Sequence, residues 1–240
     1  MKSAPALKTK PNAEHELRRE ICRAGGAMNE SGLCAFLGVY SPGNLSARLP
    51  QSNRIIISPS GFDKGSLRPQ DLVVVDLSGH RIEGKNRPSV ETPMHCSIYR
   101  RRLDVNAIVH AHSPGCLAYG VANQEIPATT IELAAVIGMR VPLAKYATPG
   151  TKALADNTLE GLGDCDAVIM ANHGLTAVGK NLEEAFQNAL SVEFTARINI
   201  NAKTLGSIVE LPPQEVSKIR KYVLEEYGQK KRSNVLSRHS

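Results

Sequence analysis

His110-Ala111-His112 is the densest chemical feature of the chain. On a strand, side chains alternate between faces, so the two imidazoles project the same way, roughly 6–7 Å apart along the strand. Zinc accepts histidine nitrogen at about 2.0–2.1 Å, and such a pair can share one ion. Taken alone, the pair more often describes two packed imidazoles hydrogen-bonded to backbone near a strand end. His173, in Ala171-Asn-His-Gly174, follows an apolar run that stops at a glycine, a place for a site residue or for a satisfied polar group. Glu91 falls where a helix is expected to begin. A carboxylate there either serves a site or complements the positive helix end, an effect of ~0.3–1 kcal/mol. Three histidines and a carboxylate would make an open zinc site whose acid can leave the metal and shuttle protons. Spacing along the chain does not show that the four converge.

The elements that must position these residues follow from periodicity and turn chemistry. Ala13 to Asn29 reads as a helix, with Asn12 as its cap and Gly32 just past its end. Tyr40 to Ser46 reads as a turn-rich loop, and Arg54 to Ser58 as a strand broken by Pro59-Ser-Gly61. Asp71 to Asp76 reads as a strand that turns at Ser78-Gly79 into Arg81-Ile-Glu83. A helix from Ser89-x-Glu91 to Arg102 takes Ser89 or Thr92 as cap and ends on three arginines. Ala107 to Ala111 is a buried strand, Pro127 to Gly138 and Thr151 to Leu162 are helices, and Ala167 to Met170 is a strand. Asn181 with Glu184 forms a variant capping box at the start of a long helix to about Lys203, and Pro213 to Tyr227 forms a helix near the tail. This irregular mixture favours a single three-layer α/β domain over residues 13–228, between loose ends at 1–12 and 229–240.

The 240 residues are 42% hydrophobic, enough for a core and too apolar for disorder. No stretch approaches the ~20 apolar residues of a membrane span. Three lysines near the N-terminus lack the apolar run of a secretory signal, so a cytoplasmic protein is expected. Five cysteines without a Cys-x-x-Cys pair point to reduced thiols rather than a disulfide framework or zinc ribbon. The net charge of +6 sits mostly in the stretch from Lys218 to Ser240, where seven basic residues face two acidic ones. A solvated tail, no Trp and 4% aromatics argue against nucleic acid as a partner.

Pro88-Ser-Val-Glu91, Asp104-Val-Asn-Ala-Ile-Val-His-Ala-His-Ser113 and Ala171-Asn-His-Gly174 together resemble the class II aldolase/adducin family, whose aldolases act on sugar phosphates such as L-fuculose 1-phosphate. The intervals are similar too: Glu91 to His110 spans 19 residues, and His110 to His173 spans 63. Gly43-Asn-Leu-Ser46, Ile57-Ser-Pro-Ser-Gly61, Pro69-x-Asp71, Tyr146-Ala-Thr-Pro-Gly150 and Asn181-Leu-Glu-Glu-Ala185 extend the likeness over about Glu14 to Ile200.

The resemblance implies a central, mainly antiparallel sheet and a homotetramer with active sites near subunit boundaries. It makes His110, His112 and His173 zinc ligands, although imidazole and carboxylate also accept manganese or cobalt. Glu91 would bind the metal without substrate and act as acid/base with it. Gly43, Asn44, Ser60, Gly61 and Ser89 would hold the substrate phosphate, since loop N–H groups and hydroxyls can cradle a dianion without lysines. Read alone, the Gly-Asn and Ser-Gly pairs are also ordinary turn chemistry.

Retro-aldol cleavage leaves an enediolate, whose charge a Lewis acid can spread while a nearby carboxylate moves the proton. Decarboxylation of a keto acid makes the same kind of enolate, so the metal shell suits both reactions. Two departures bear on substrate. Val90 stands where the family's phosphate loop often has a second serine. Ile131 stands where the fuculose phosphate enzyme has a tyrosine, with Glu132 beside it; Glu132 resembles the acid/base glutamate of a dehydratase branch, or is a solvent-facing helix residue. The expectation is a zinc-dependent aldolase acting on a ketose 1-phosphate. Its alternatives are a hydroxy- or keto-acid decarboxylase, a dehydratase or a 4-epimerase. A metal-free, adducin-like interaction module would not need the histidines that this chain keeps.

Overall fold

The structure, a computed structural model, describes residues 11–34 and 42–227. The loose ends expected before Asn12 and after Gly228 fall almost wholly outside the described residues, as do Tyr40 and Ser41 of the expected loop.

Ten strands and seven α-helices are described. The strands are β1 (Asn44–Arg48), β2 (Arg54–Ile57), β3 (Val73–Asp76), β4 (Arg81–Glu83), β5 (Ala107–Ala111), β6 (Ile126–Pro127), β7 (Arg140–Val141), β8 (Leu143–Ala144), β9 (Ala167–Met170) and β10 (Gly174–Gly179). The helices are α1 (Pro11–Glu30), α2 (Thr92–Arg101), α3 (Pro114–Val121), α4 (Ile131–Val136), α5 (Lys152–Leu162), α6 (Leu182–Leu205) and α7 (Pro213–Glu225). Eight strands form one sheet in the order β4-β3-β2-β1-β5-β10-β9-β8. Every neighbouring pair in it is antiparallel except β8 with β9.

Both faces of the sheet are covered, which explains the continuous runs Ile55-Ile56-Ile57 and Val73-Val74-Val75. Alternation sends Ile56 and Val74 into a core shared with α1, α3, α4 and α6. Ile55, Ile57, Val73 and Val75 enter a second core beneath α2 and α5. The result is the expected three-layer α/β/α arrangement around a mainly antiparallel sheet. No helix among the described residues is long and apolar enough to cross a membrane. All five cysteines are free thiols.

Several elements differ from the sequence reading, each for a local reason. Helix α1 begins at Pro11, so Asn12 lies inside it and is not its cap. The helix expected over Pro127 to Gly138 shrinks to α4. Ile126 and Pro127 instead pair with Val141 and Arg140, and Thr130 caps α4 by accepting the Leu133 N–H. Helix α2 is preceded by Glu91, and neither Ser89 nor Thr92 caps it. Ser89 Oγ accepts the Glu91 N–H, and Thr92 Oγ1 donates to the Ser89 carbonyl. The first residue of the expected strand at Asp71 closes a short 3-10 turn, and pairing starts at Val73. Asn44 to Ser46 is the start of β1 rather than part of a loop, and α3 and β10 are elements beyond those expected from the sequence. Asn181 caps α6 as expected, accepting the Glu184 N–H, while the Glu184 carboxylate reaches the N–H of Lys180 rather than that of Asn181.

Candidate metal centre

Three central strands place polar residues in one row. Asn44 on β1 pairs with His110 on β5, and His110 pairs with Thr176 on β10. Residues directly opposite in neighbouring strands share a face. That face carries Ile108 and Val178 into the core beneath α2, so the row is roofed by α2. The backbones crowd here. A Cβ on Gly43 would stand 2.5 Å from the His110 carbonyl oxygen, and one on Gly174 would stand 2.4 Å from that of Ala111. Only glycine permits β1 and β10 to close so tightly around the end of β5.

β5 ends at Ala111, so His112 lies just beyond the strand rather than in it. The two rings nonetheless face one another, with Nε2 atoms 3.0 Å apart, closer than regular strand spacing would put them. His173 arrives from the β9–β10 turn. Its N–H bonds to the Met170 carbonyl, and Asn172 adopts the left-handed conformation (φ 55°) that asparagine tolerates. The three ring centroids form a triangle with sides of 4.9 Å, each pair of rings steeply inclined. One ring nitrogen from each histidine lies within 4.8 Å of the other two.

Glu91 closes the site from the foot of α2. Its Oε2 lies 3.1 Å from His110 Nε2, and its Oε1 lies 3.1 Å from His173 Nε2. The carboxylate is 4% exposed, and Oε1 has no hydrogen-bond donor among the described residues. His110 Nδ1 is held 2.9 Å from the Leu175 carbonyl, an acceptor, so the ring proton sits on Nδ1 and Nε2 presents a lone pair. Lone pairs of His110 Nε2 and Glu91 Oε2 therefore face each other at short range, an arrangement a cation relieves. Imidazole nitrogens and a carboxylate oxygen, one ring oriented by a backbone carbonyl, are the donor set of a zinc-type ion. The residues fit such a metal.

Electrostatics agree with ligation. Burial, then the neighbouring His110 and His173, pushes His112 down to about 3, leaving it in the neutral form that a ligand requires.

The other expected site residues divide into two groups. The Leu45 N–H donates to Ser58 Oγ, Pro59 bridges Pro88, and the Ser89 N–H donates to the Ser58 carbonyl. These contacts set Gly43-Asn44, Ser60-Gly61 and Ser89 side by side at the approach to Glu91. The Asn44 side chain, however, is engaged by protein: Nδ2 donates to Glu91 Oε2 at 2.7 Å, and Oδ1 meets His95 Nε2 at 2.5 Å. Gly150, with φ +79°, packs its loop against Val90. Glu132 stands apart. It is exposed in the first turn of α4, which packs on α6 and α7, and no described contact joins it to the histidines. His95 was not anticipated from the sequence. Its signal was the spacing Glu91-x-x-x-His95, which sets both side chains on one face of the turn that opens α2.

Comparison with known proteins agrees with this architecture. The sequence profile of the Class II Aldolase and Adducin N-terminal domain matches residues 19–200, and the chain belongs to that family. The chain is 41% identical over 212 residues to the 5-deoxy-D-ribulose 1-phosphate aldolase of Bacillus thuringiensis serovar kurstaki, covering 88% of this chain and 97% of that one. It is 34% identical over 173 residues to the L-fuculose phosphate aldolase of Escherichia coli K12, covering 72% and 79% of the two chains. A solved L-fuculose 1-phosphate aldolase superposes with a TM-score of 0.81 at 35% identity, covering 86% of this chain and 95% of that one.

Proposed function

We propose that this chain is a zinc-dependent aldolase that cleaves a carbon–carbon bond in a ketose 1-phosphate. The chain is a lyase of the class II aldolase type, and relatives named for sugar-phosphate aldolases support the substrate class. The observation that carries the reading is the meeting of His110, His112 and His173 under the Glu91 carboxylate.

His110, His112 and His173 would hold the metal, with the Glu91 carboxylate beside them as a fourth donor. When bound, the ion supplies Lewis-acid stabilisation of the enediolate charge left by cleavage. Glu91 would carry the proton of the hydroxyl that becomes the aldehyde carbonyl to the carbon that loses its bond, so that cleavage involves no net gain or loss of a proton. Backbone N–H groups and hydroxyls of the Gly43-Asn44, Ser60-Gly61 and Ser89 segments bind the phosphate and orient the sugar chain. The exposed Val90 side chain leaves that loop one hydroxyl poorer than two consecutive serines would.

The active assembly is a homotetramer. Exposed Ile131, Phe194 and Ile198 support a subunit contact there, because Thr130 and Thr195 hydrogen-bond across α4 and α6 and draw these apolar side chains together. Such a contact would carry Glu132, next to Ile131, toward a neighbouring copy's site.

The test is a product assay by mass. 5-Deoxyribulose 1-phosphate and L-fuculose 1-phosphate are offered beside their dephosphorylated forms and a set of hydroxy and keto acids. Cleavage that depends on both phosphate and a divalent ion supports the aldolase. Carbon dioxide release from an unphosphorylated acid overturns it in favour of the decarboxylase.

A further inference from the structure

A chain of buried polar groups runs from Glu91 back through the sheet and the roof helix. Asn44 Nδ2 is 2.7 Å from Glu91 Oε2, and Asn44 Oδ1 is 2.5 Å from His95 Nε2. His95 Nδ1 is 2.6 Å from Ser46 Oγ, which is 2.9 Å from the Tyr99 hydroxyl. Ser46, His95 and Tyr99 are fully buried and Asn44 is 5% exposed, so water cannot replace any of these bonds cheaply.

The direction of every bond follows from its end. An ionised carboxylate only accepts, so Asn44 must turn its amide nitrogen to Glu91 and its oxygen to His95. His95 must then carry its proton on Nε2, leaving Nδ1 to accept from Ser46, whose oxygen in turn accepts from Tyr99. We propose that His95 is a positioning residue for the reaction: by donating from Nε2 it locks the Asn44 amide in the one orientation that donates to, and aims, the Glu91 carboxylate. His95 touches neither metal nor substrate. It acts through Asn44, while Ser46 and Tyr99 fix its tautomer. A flipped Asn44 would set its oxygen against the carboxylate and its amide N–H against that of His95, so the His95 N–H adds to the carboxylate's own opposition to the flip.

The inference rests on the reading of Glu91 as the proton-moving group, so Glu91→Gln is measured in parallel. In the metal-free protein, long-range proton–nitrogen spectra are expected to show His95 as the neutral Nε2–H tautomer; an Nδ1–H tautomer overturns the proposal. With 5-deoxyribulose 1-phosphate as probe, His95→Phe is expected to keep zinc near one per chain and KM within about twofold. Its kcat should fall at least tenfold, as loss of an outer-shell partner does elsewhere, at ~10–100-fold. His95→Gln, whose amide N–H can still reach Asn44, should recover part of the loss, and it decides the matter if the phenylalanine variant does not fold. Asn44→Ala combined with His95→Phe should be no slower than Asn44→Ala alone, because the two act in series. Unchanged kcat in a folded His95→Phe protein, or losses that multiply in the double variant, overturn the proposal. If Glu91→Gln is inactive while His95→Phe turns over normally, this inference fails and the reading of Glu91 stands. If Glu91→Gln turns over normally, the reading of Glu91 itself fails.

Discussion

His110 Nδ1 lies 2.9 Å from the Leu175 carbonyl oxygen, a contact between neighbouring strands that decides which ring nitrogen faces the site. The carbonyl can only accept, so the ring proton stays on Nδ1 and Nε2 is free for a metal. Thr176 Oγ1, opposite His110 in the same row, lies 3.3 Å from the same Nδ1. A metal ligand oriented by backbone keeps its aim without depending on a mobile side chain.

His110→Ala should therefore empty the metal site. Bound divalent ion, measured by elemental analysis after purification without chelators, should fall from near one per chain to near zero, and turnover with it. Far-ultraviolet circular dichroism should remain native, because β5 keeps its backbone ladder on both sides. A variant with full metal content and turnover would remove His110 from the ligand set.

Glu91→Gln should retain the metal, since three imidazoles remain, but lose about 10²–10⁴-fold in kcat because an amide cannot accept the proton. Metal analysis and steady-state kinetics on one preparation check both halves. Wild-type turnover would count against the acid/base role.

Acid should destabilise the metal-free protein early. Burial, then the nearby His110, holds His95 at about 3, against an ordinary value of 6.5. The groups facing it are Asn44, Ser46, Glu91 and His110. As pH falls below 6.5 the unfolded chain takes up this proton and the folded chain does not, so stability present at neutral pH drains away toward pH 3. One such group contributes a slope of about 1.4 kcal/mol per pH unit within that window. Urea unfolding between pH 6.5 and 4.5 should show it, and His95→Gln should flatten the slope by about one proton.

Gly43→Ala should damage both fold and site. Its φ is +91°, and the new methyl would meet the His110 carbonyl at 2.5 Å, a contact with backbone that no rotamer relieves. A loss of about 1–3 kcal/mol in unfolding free energy is expected, with weaker metal binding because β1 must pull away from the strand bearing His110. Unchanged urea midpoint and metal affinity would show that the sheet yields at little cost.

The residue pattern alone determined the local pieces. The strand at Ala107–Ala111, the strand at Ala167–Met170 and the Asn181-capped long helix were legible because each is governed by neighbours within a few residues. The candidate ligands were legible by type, and the family resemblance pointed to the three histidines that the structure brings together. Only the tertiary structure decided that His110, His112 and His173 share one point, since that depends on β5 and β10 pairing in a single register and on a turn through left-handed Asn172. It also turned Asn44-Leu-Ser46 from loop into strand, because Asn44 and Ser46 are polar on a face that is buried, and their partners lie on a helix some fifty residues away. Propensity reads a polar residue as solvent-seeking. A buried network satisfies such a residue instead, and its members are chosen by pairing across the sheet, which no local window contains.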